Sequence, residues 1–317
     1  TGATPWHGLG TRLVEGITLA DAFTDARANG DKWALPLELR PLYFEAAHGM
    51  PQMPQAQAVI REDGHPISVV GDRYKLIQPS ESVEFLDALV ASDESLKLSA
   101  VGTLKGGTRL FITTELEGSE FEVGKGDVVK PYLVWLDSFD GSCNAHALNS
   151  STRVVCNNTF KWAMKDAKSD SVAKIRHSGN IAAKLEAAQA QVQAYREGLV
   201  GSIEVLRDMA AKSVSSSRWQ GLLDEIVPVP EARPTKAERT RDILTDLFEG
   251  KGKGSRMAGR TQWGAYNAVT EYTSHLIPTR GTKEPVMIMA KRLEGATMGG
   301  AGQRLNDKAF DFLRADA

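Results

Sequence analysis

The chain has 317 residues, 42% hydrophobic and 25% charged, with a net charge of −2 and two cysteines. This composition excludes collagen-like, low-complexity and wholly disordered chains, and no apolar run approaches the roughly 18 residues that a membrane helix needs. Two cysteines, Cys143 and Cys156, exclude a disulfide scaffold and point to a reducing compartment.

The first ten residues, TGATPWHGLG, carry neither a basic stretch nor an apolar run, and no secretory signal is read there. Pro36, Pro41, Pro51 and Pro54 break up the first 55 residues, leaving a short helix at 19–28 and an extended piece at 33–44. Segments 57–61 and 67–71 flank Asp63-Gly64 and read as a hairpin; RYKLIQ (73–78) reads as a further strand. Pro79-Ser80 opens a helix with an apolar stripe of Val83, Phe85, Leu86, Leu89 and Val90. Alternation predicts a second hairpin over 97–116, turning at Gly106-Gly107. A third strand follows at 131–139, and Asp140-Gly141 turns it into a fourth at 142–150.

Residues 153–168 read as a helix with a basic arc of Arg153, Lys161, Lys165 and Lys168 opposite an apolar arc. A long helix over 180–211 carries a seam at spacings of three and four. Helices at 235–248, 262–276 and 306–314 complete the chain, with a mobile Gly/Lys-rich loop at 250–259 between the first two and a loop at 278–284. The expected class is α+β, an antiparallel sheet packed on helices with a β-β-β-α type core. The expected division is a β-rich core at 1–178 and a helical region at 179–317.

Charge is unevenly placed. Residues 1–100 carry 8 Lys/Arg and 14 Asp/Glu, a balance of −6, which leaves +4 for the remainder. Residues 153–184 hold seven basic residues against Asp166 and Asp170, and 251–260 hold four with no acid. A local patch can bind phosphates in a chain that is neutral overall, because screening limits the reach of distant acids to about 10 Å. The plainer alternative is a pair of solvated faces.

Metal chemistry has two candidate arrangements. Cys143 and His146 are three apart, which places them on opposite faces of a strand, so a zinc site is disfavoured. Asp137, Asp140 and His146 lie around one turn and could gather Mg²⁺ for hydrolysis, although Asp140-Gly141 is more simply a turn. No phosphate-binding loop motif for ATP, nucleophile elbow or HExxH occurs, and no cofactor is expected.

Nucleic-acid binding has more residues in its favour. Candidate phosphate contacts are Arg73, Lys75, Lys105 and Arg109 on the sheet and Arg153, Lys161, Lys165, Lys168 and Arg176 on or after the helix. Lys251, Lys253 and Arg256 add a further group in the Gly/Lys-rich loop. Tyr74, Trp135, Phe139, Phe160, Trp162 and Trp263 offer stacking faces wherever they are exposed, and single-strand binders combine such faces with a cationic groove. Core burial is the competing role for each aromatic.

PWHGLGT (5–11), VVGDRYKLIQ (69–78), LKGGTRLFI (104–112), YLVWLDSFDGS (132–142), STRVVCNNTFKWA (151–163), IRHSGN (175–180) and QWGAYNAVTEYTSH (262–275) resemble the phage/plasmid-like proteins, also called domain of unknown function 932. The resemblance spans nearly the whole chain and implies a phage, prophage or plasmid origin and a host-cytoplasmic location. The predicted order of helix, hairpin, strand pair and helix over 80–168 is also similar to the annealing core of the Rad-fifty-two superfamily. That likeness implies an ATP-independent single-stranded DNA-binding and annealing protein that forms a homo-oligomeric ring or filament. Host replication or repair proteins are further candidate partners. The alternative is a protein whose acidic first hundred residues bind and modulate a host restriction or repair protein.

Overall fold

The structure, a computed structural model, describes residues 9–14, 16–104, 107–124, 126–141, 146–153, 159–160, 181–297 and 300–315. It is an α+β fold with two antiparallel sheets and a helical C-terminal half.

Among the described residues the larger sheet has seven strands: β1 (Thr11–Arg12), β5 (Leu96–Leu104), β6 (Arg109–Leu116), β7 (Phe121–Gly124), β8 (Asp127–Ser138), β9 (His146–Arg153) and β10 (Thr159–Phe160). Its order is β1-β5-β6-β8-β9-β10, with β7 paired to β8. The smaller sheet is β2 (Leu37–Tyr43), β3 (Gln52–Arg61) and β4 (Pro66–Gly71), in that order. β8 is the central strand, and both of its faces are covered, which explains its nearly unbroken apolar run YLVWL. On one face Ile112, Leu133 and Trp135 join Val83, Leu86 and Leu89 of α2 (Pro79–Ala91) in the main core. On the other, Phe111, Val134 and Leu136 meet Leu9, Ala290 and Leu293.

Helix starts follow local chemistry. Pro79 opens α2, and the Glu81 carboxylate accepts the Gln78 N–H at 2.7 Å. The Gln78 amide bonds Leu37 through both its backbone N–H and its carbonyl, tying the small sheet to α2. Asp87 reaches from α2 to accept the Leu19 and Ala20 N–H groups at 2.8 and 2.9 Å, capping α1 (Leu19–Ala28) with charge at the favourable end.

The C-terminal helices are α3 (Ile181–Ala211), α4 (Ser216–Ile226), α5 (Thr235–Asp246), α6 (Lys253–Ala258), α7 (Gln262–Glu271), α8 (Pro285–Thr297) and α9 (Ala301–Arg314). α3 lies across the β-rich half: Arg196 pairs with Asp93 at 2.7 Å, and Arg207 donates to the Glu122 carbonyl at 3.0 Å. α7 is buried along Gln262–Thr270, and its Trp263 indole donates to the buried Asp127 carboxylate at 2.6 Å. The main core runs without interruption from Leu13 to Leu313.

Three expectations fail. RYKLIQ forms no strand; it is an irregular link into α2. The helix expected over 153–168 does not stand where it can be seen, because Arg153 ends β9 and Thr159–Phe160 is β10; positions 154–158 and 161–168 lie outside the described residues. The 250–259 stretch is structured. α5 runs on through a wider turn, Leu247–Lys251, until Gly250 stops it at φ 100, and α6 follows. The Glu271 carboxylate accepts the Lys253 and Gly254 N–H groups at 3.1 and 3.0 Å, holding the start of α6.

Candidate nucleic-acid interface

Three separate segments meet at one corner of the larger sheet. β6 and β8 pair in a register that sets Arg109 opposite Ser138. The Phe139 N–H donates to the Thr108 carbonyl at 2.8 Å, and Ser68 of β4 donates its hydroxyl to the Phe139 carbonyl at 3.0 Å. Tyr74 crosses from the link after β4, its hydroxyl donating to the Ser138 carbonyl at 3.2 Å. A side-chain carbon placed on Gly141 would meet the Tyr74 ring at 3.5 Å, so this turn sits directly against the ring. The link at 72–78, the turn before Arg109 and the Asp137–Gly141 turn are thereby fastened together, although they are far apart in sequence.

Beneath Gly107 lies a guanidinium that the sequence reading did not single out. Arg61 is 3% exposed and forms a two-pronged pair with Asp63 at 2.9 and 2.8 Å. Its remaining nitrogen, Nη1, faces Gly107, where an added side-chain carbon would come within 2.9 Å. Gly107 also has φ 103, a left-handed backbone conformation that favours glycine whatever the space, and the close approach adds to it.

Arg61 holds the Asp63 carboxyl at about 2, chiefly through its hydrogen bonds. The folded value is depressed, so this pair's contribution is complete above the ordinary value of about 3.9 and is lost as pH falls through about 2. An Asp63→Asn variant should melt below the wild type at neutral pH, with the gap closing between pH values of about 4 and about 2. A gap that stays constant to acid pH would show that the pair does not titrate as described.

The carboxylates of this corner are committed to structure. Asp137 is 6% exposed; one oxygen accepts the Ser82 hydroxyl at 2.5 Å and the other the Ser138 N–H at 2.8 Å. Asp140 accepts the Ser138 hydroxyl. No cluster of three metal-ligating residues occurs among the described residues, and the His146 side chain and Cys143 lie outside them.

The predicted cations divide into groups. Arg73 and Lys75 flank Tyr74, are exposed, and form no ion pair with a described residue; Asp72 beside them leaves one positive charge in excess. Arg109, half-buried, pairs with Leu104 and alternates with Leu110, so it shares the sheet face of Leu104 and Phe111, opposite to the face that Tyr74 packs against. Lys251 and Lys253 belong to the opposite end of β8, as does Arg256. Met257 of their helix lies close to Gly126, where an added carbon would meet it at 3.6 Å, and Gly126 precedes the first residue of β8. Asp127 to Ser138 is eleven steps of extended chain, roughly 36 Å. One compact patch holding Arg73, Lys75, Arg109 and the 251–256 cations is therefore ruled out. Within the distal group Lys251 pairs with Asp246 at 2.7 Å, and Arg256 donates to the Gly250 carbonyl at 3.4 Å. The Arg153 backbone stands opposite Val129, also toward that far end. Lys105, Lys161, Lys165, Lys168 and Arg176 lie outside the described residues, as does Trp162. Trp135, Phe139 and Trp263 are core residues at 5, 2 and 1% exposure and offer no stacking face.

A family model described as Domain of unknown function (DUF932) matches residues 66–293. The chain belongs to this family. The DUF932 match takes in all three segments that build the corner and the buried helix α7. Nothing matches among the curated proteins or the solved structures. With β10 standing inside the span expected to be helical, the likeness of this DUF932 chain to the Rad-fifty-two core carries no argument about its fold.

Proposed function

We propose that the protein binds the phosphate backbone of single-stranded DNA at the corner that carries Arg73 and Lys75 and anneals strands without ATP. The observation that carries this reading is the convergence of three distant segments on one corner that leaves Arg73 and Lys75 exposed without acid partners among the described residues. Neutralised phosphates release counterions, which supplies affinity without sequence reading.

The test is fluorescence anisotropy of a labelled oligonucleotide, single-stranded and then duplex, titrated over a range of salt. Arg73→Ala with Lys75→Ala should weaken single-strand binding and lower the slope of log affinity against log salt by about 2. Unchanged affinity in the folded double variant would remove this site, and absence of binding at low salt would end the reading.

A second reading, a protein that docks a basic segment of a protein partner, is favoured by one cleft. It has a volume of about 670 Å³ and is lined by Arg12, Leu13, Val14, Gly16 and Ile17, the end of α2 and β5; Glu117 pairs there with Lys97, Glu115 and Glu120 share Lys130, and Glu94 forms no ion pair with a described residue. A partner recovered by pull-down from a chain that binds no DNA, and lost on Glu94→Lys, would favour it.

A further inference from the structure

A further group of cations lies on α8 and the loop that leads into it. Residues 277–292 hold Arg280, Lys283, Lys291 and Arg292 against one acid, Glu284, a balance of +3. None of the four cations forms an ion pair with a described residue. Two of them are held by neutral groups instead. The Lys291 ammonium donates to the Arg280 carbonyl at 2.7 Å, and the Arg292 Nε donates to the Ile277 carbonyl at 2.9 Å. A side-chain carbon on Gly281 would lie 3.3 Å from the Lys291 nitrogen, so the ammonium rests against the loop. Carbonyl partners fix a cation in place without cancelling its charge, whereas a carboxylate does both. Arg280, Lys283 and Lys291 are exposed, and Arg292 is half-buried. Three steps of chain keep the Arg280 and Lys283 Cα atoms within about 11 Å of each other.

Packing places this group on the sheet. Ala290 and Leu293 of α8 belong to one apolar cluster with Leu104, Phe111 and Leu136, on the face opposite to the one that Tyr74 packs against. At 3.6 residues per turn, Lys291 stands about 100° from Ala290 and about 160° from Leu293, so it lies on the side of α8 turned away from that cluster.

We propose that the 277–284 loop and α8 form a second contact for the phosphate backbone of the strand held at Arg73 and Lys75, so that a bound single strand passes around the sheet rather than along one face. This inference rests on the single-strand reading of the corner. Chemistry selects the occupant. Residues 277–292 contain no Phe, Trp, Tyr or His, so the group can grip phosphates but offers no ring on which a base would stack. An exposed loop gives a small anion little enclosure, while a chain of phosphates meets several of these cations at once and releases a counterion at each.

The test is fluorescence anisotropy of a labelled single-stranded oligonucleotide over a range of salt. Arg280→Ala with Lys283→Ala should lower the slope of log affinity against log salt by about 2. Alanine keeps the Arg280 carbonyl that Lys291 uses, and circular dichroism should match the wild type. Lys97→Ala with Lys308→Ala removes the same charge from lysines already paired with Glu117 and Glu225, at 3.4 and 3.6 Å, and should leave the slope unchanged. An unchanged slope in the folded Arg280→Ala, Lys283→Ala chain, or an equal fall in the Lys97→Ala, Lys308→Ala chain, overturns this inference and leaves the Arg73 and Lys75 corner standing. A fall on Arg280→Ala with Lys283→Ala but none on Arg73→Ala with Lys75→Ala keeps this contact and removes the corner. A wild type that binds no single strand ends both.

Discussion

Replacing Trp263 with alanine is expected to remove about 3–5 kcal/mol of stability, a large part of the roughly 5–15 kcal/mol that holds a typical domain folded. Trp263 is 1% exposed and sits on a helix whose surroundings are full on every side. Alanine leaves a cavity that close-packed neighbours fill only in part. It also takes a donor from Asp127, which is 2% exposed and accepts the indole N–H at 2.6 Å. Trp263→Phe separates the two losses: it keeps most of the volume, removes the donor, and should cost about 1–3 kcal/mol. Urea unfolding followed by circular dichroism measures both. An alanine variant within about 1 kcal/mol of the wild type would mean that the bond between the sheet and α7 is not part of the stable core.

The second large effect is expected at Gly10. Its φ is 80, and an added carbon would lie 2.5 Å from the Val101 carbonyl oxygen and 2.8 Å from the Phe111 ring. Gly102 stands directly opposite Phe111 across β5 and β6, and the ring fills the space left by both glycines. Gly10→Ala should therefore cost about 2–4 kcal/mol, from the left-handed backbone and from overpacking together. A smaller ring-side residue relieves only the second part. Gly10→Ala combined with Phe111→Leu should accordingly lose less than the sum of the single variants, and strict additivity would contradict the packing described.

Much of the architecture was legible in the sequence. Alternation with turn residues located the β3–β4 and β5–β6 hairpins and the β8–β9 pair, an apolar helical stripe located α2 and a seam at spacings of three and four located α3, and helices were also expected where α1 and α7 stand. The misses have physical causes. β1 and β7 are too short to alternate detectably, and RYKLIQ has strand-forming residues that are used instead to thread Tyr74 to Ser138. The Gly- and Lys-rich 250–259 stretch resembles a mobile loop until Glu271, distant in sequence, supplies the acceptor for its N–H groups. α8 went unassigned because both its faces are mixed: Ala290 and Leu293 are buried, while Val286 is 56% exposed.

Arg73, Lys75 and Arg109 were named from charge; the segments that carry them are fastened together, but Arg109 shares the opposite sheet face with Leu104 and Phe111, which charge alone does not show. Their separation from Lys251, Lys253 and Arg256 could not be read, because it depends on the length of β8 and on α6 packing at its far end. Arg61 was passed over because a lone arginine before Asp63 reads as an exposed turn pair; its burial comes from the neighbouring hairpin lying over it.

The two-faced burial of β8 imposes an order on biosynthesis. Phe111, Val134 and Leu136 leave the ribosome long before Ala290 and Leu293, the helical residues that cover them. About 150 residues separate the two groups, which at typical elongation rates of 5–20 residues per second is on the order of 10–30 s. Throughout that interval one side of the nascent sheet is greasy and open, a natural target for a holding chaperone and a natural point of aggregation when α8 is late or damaged.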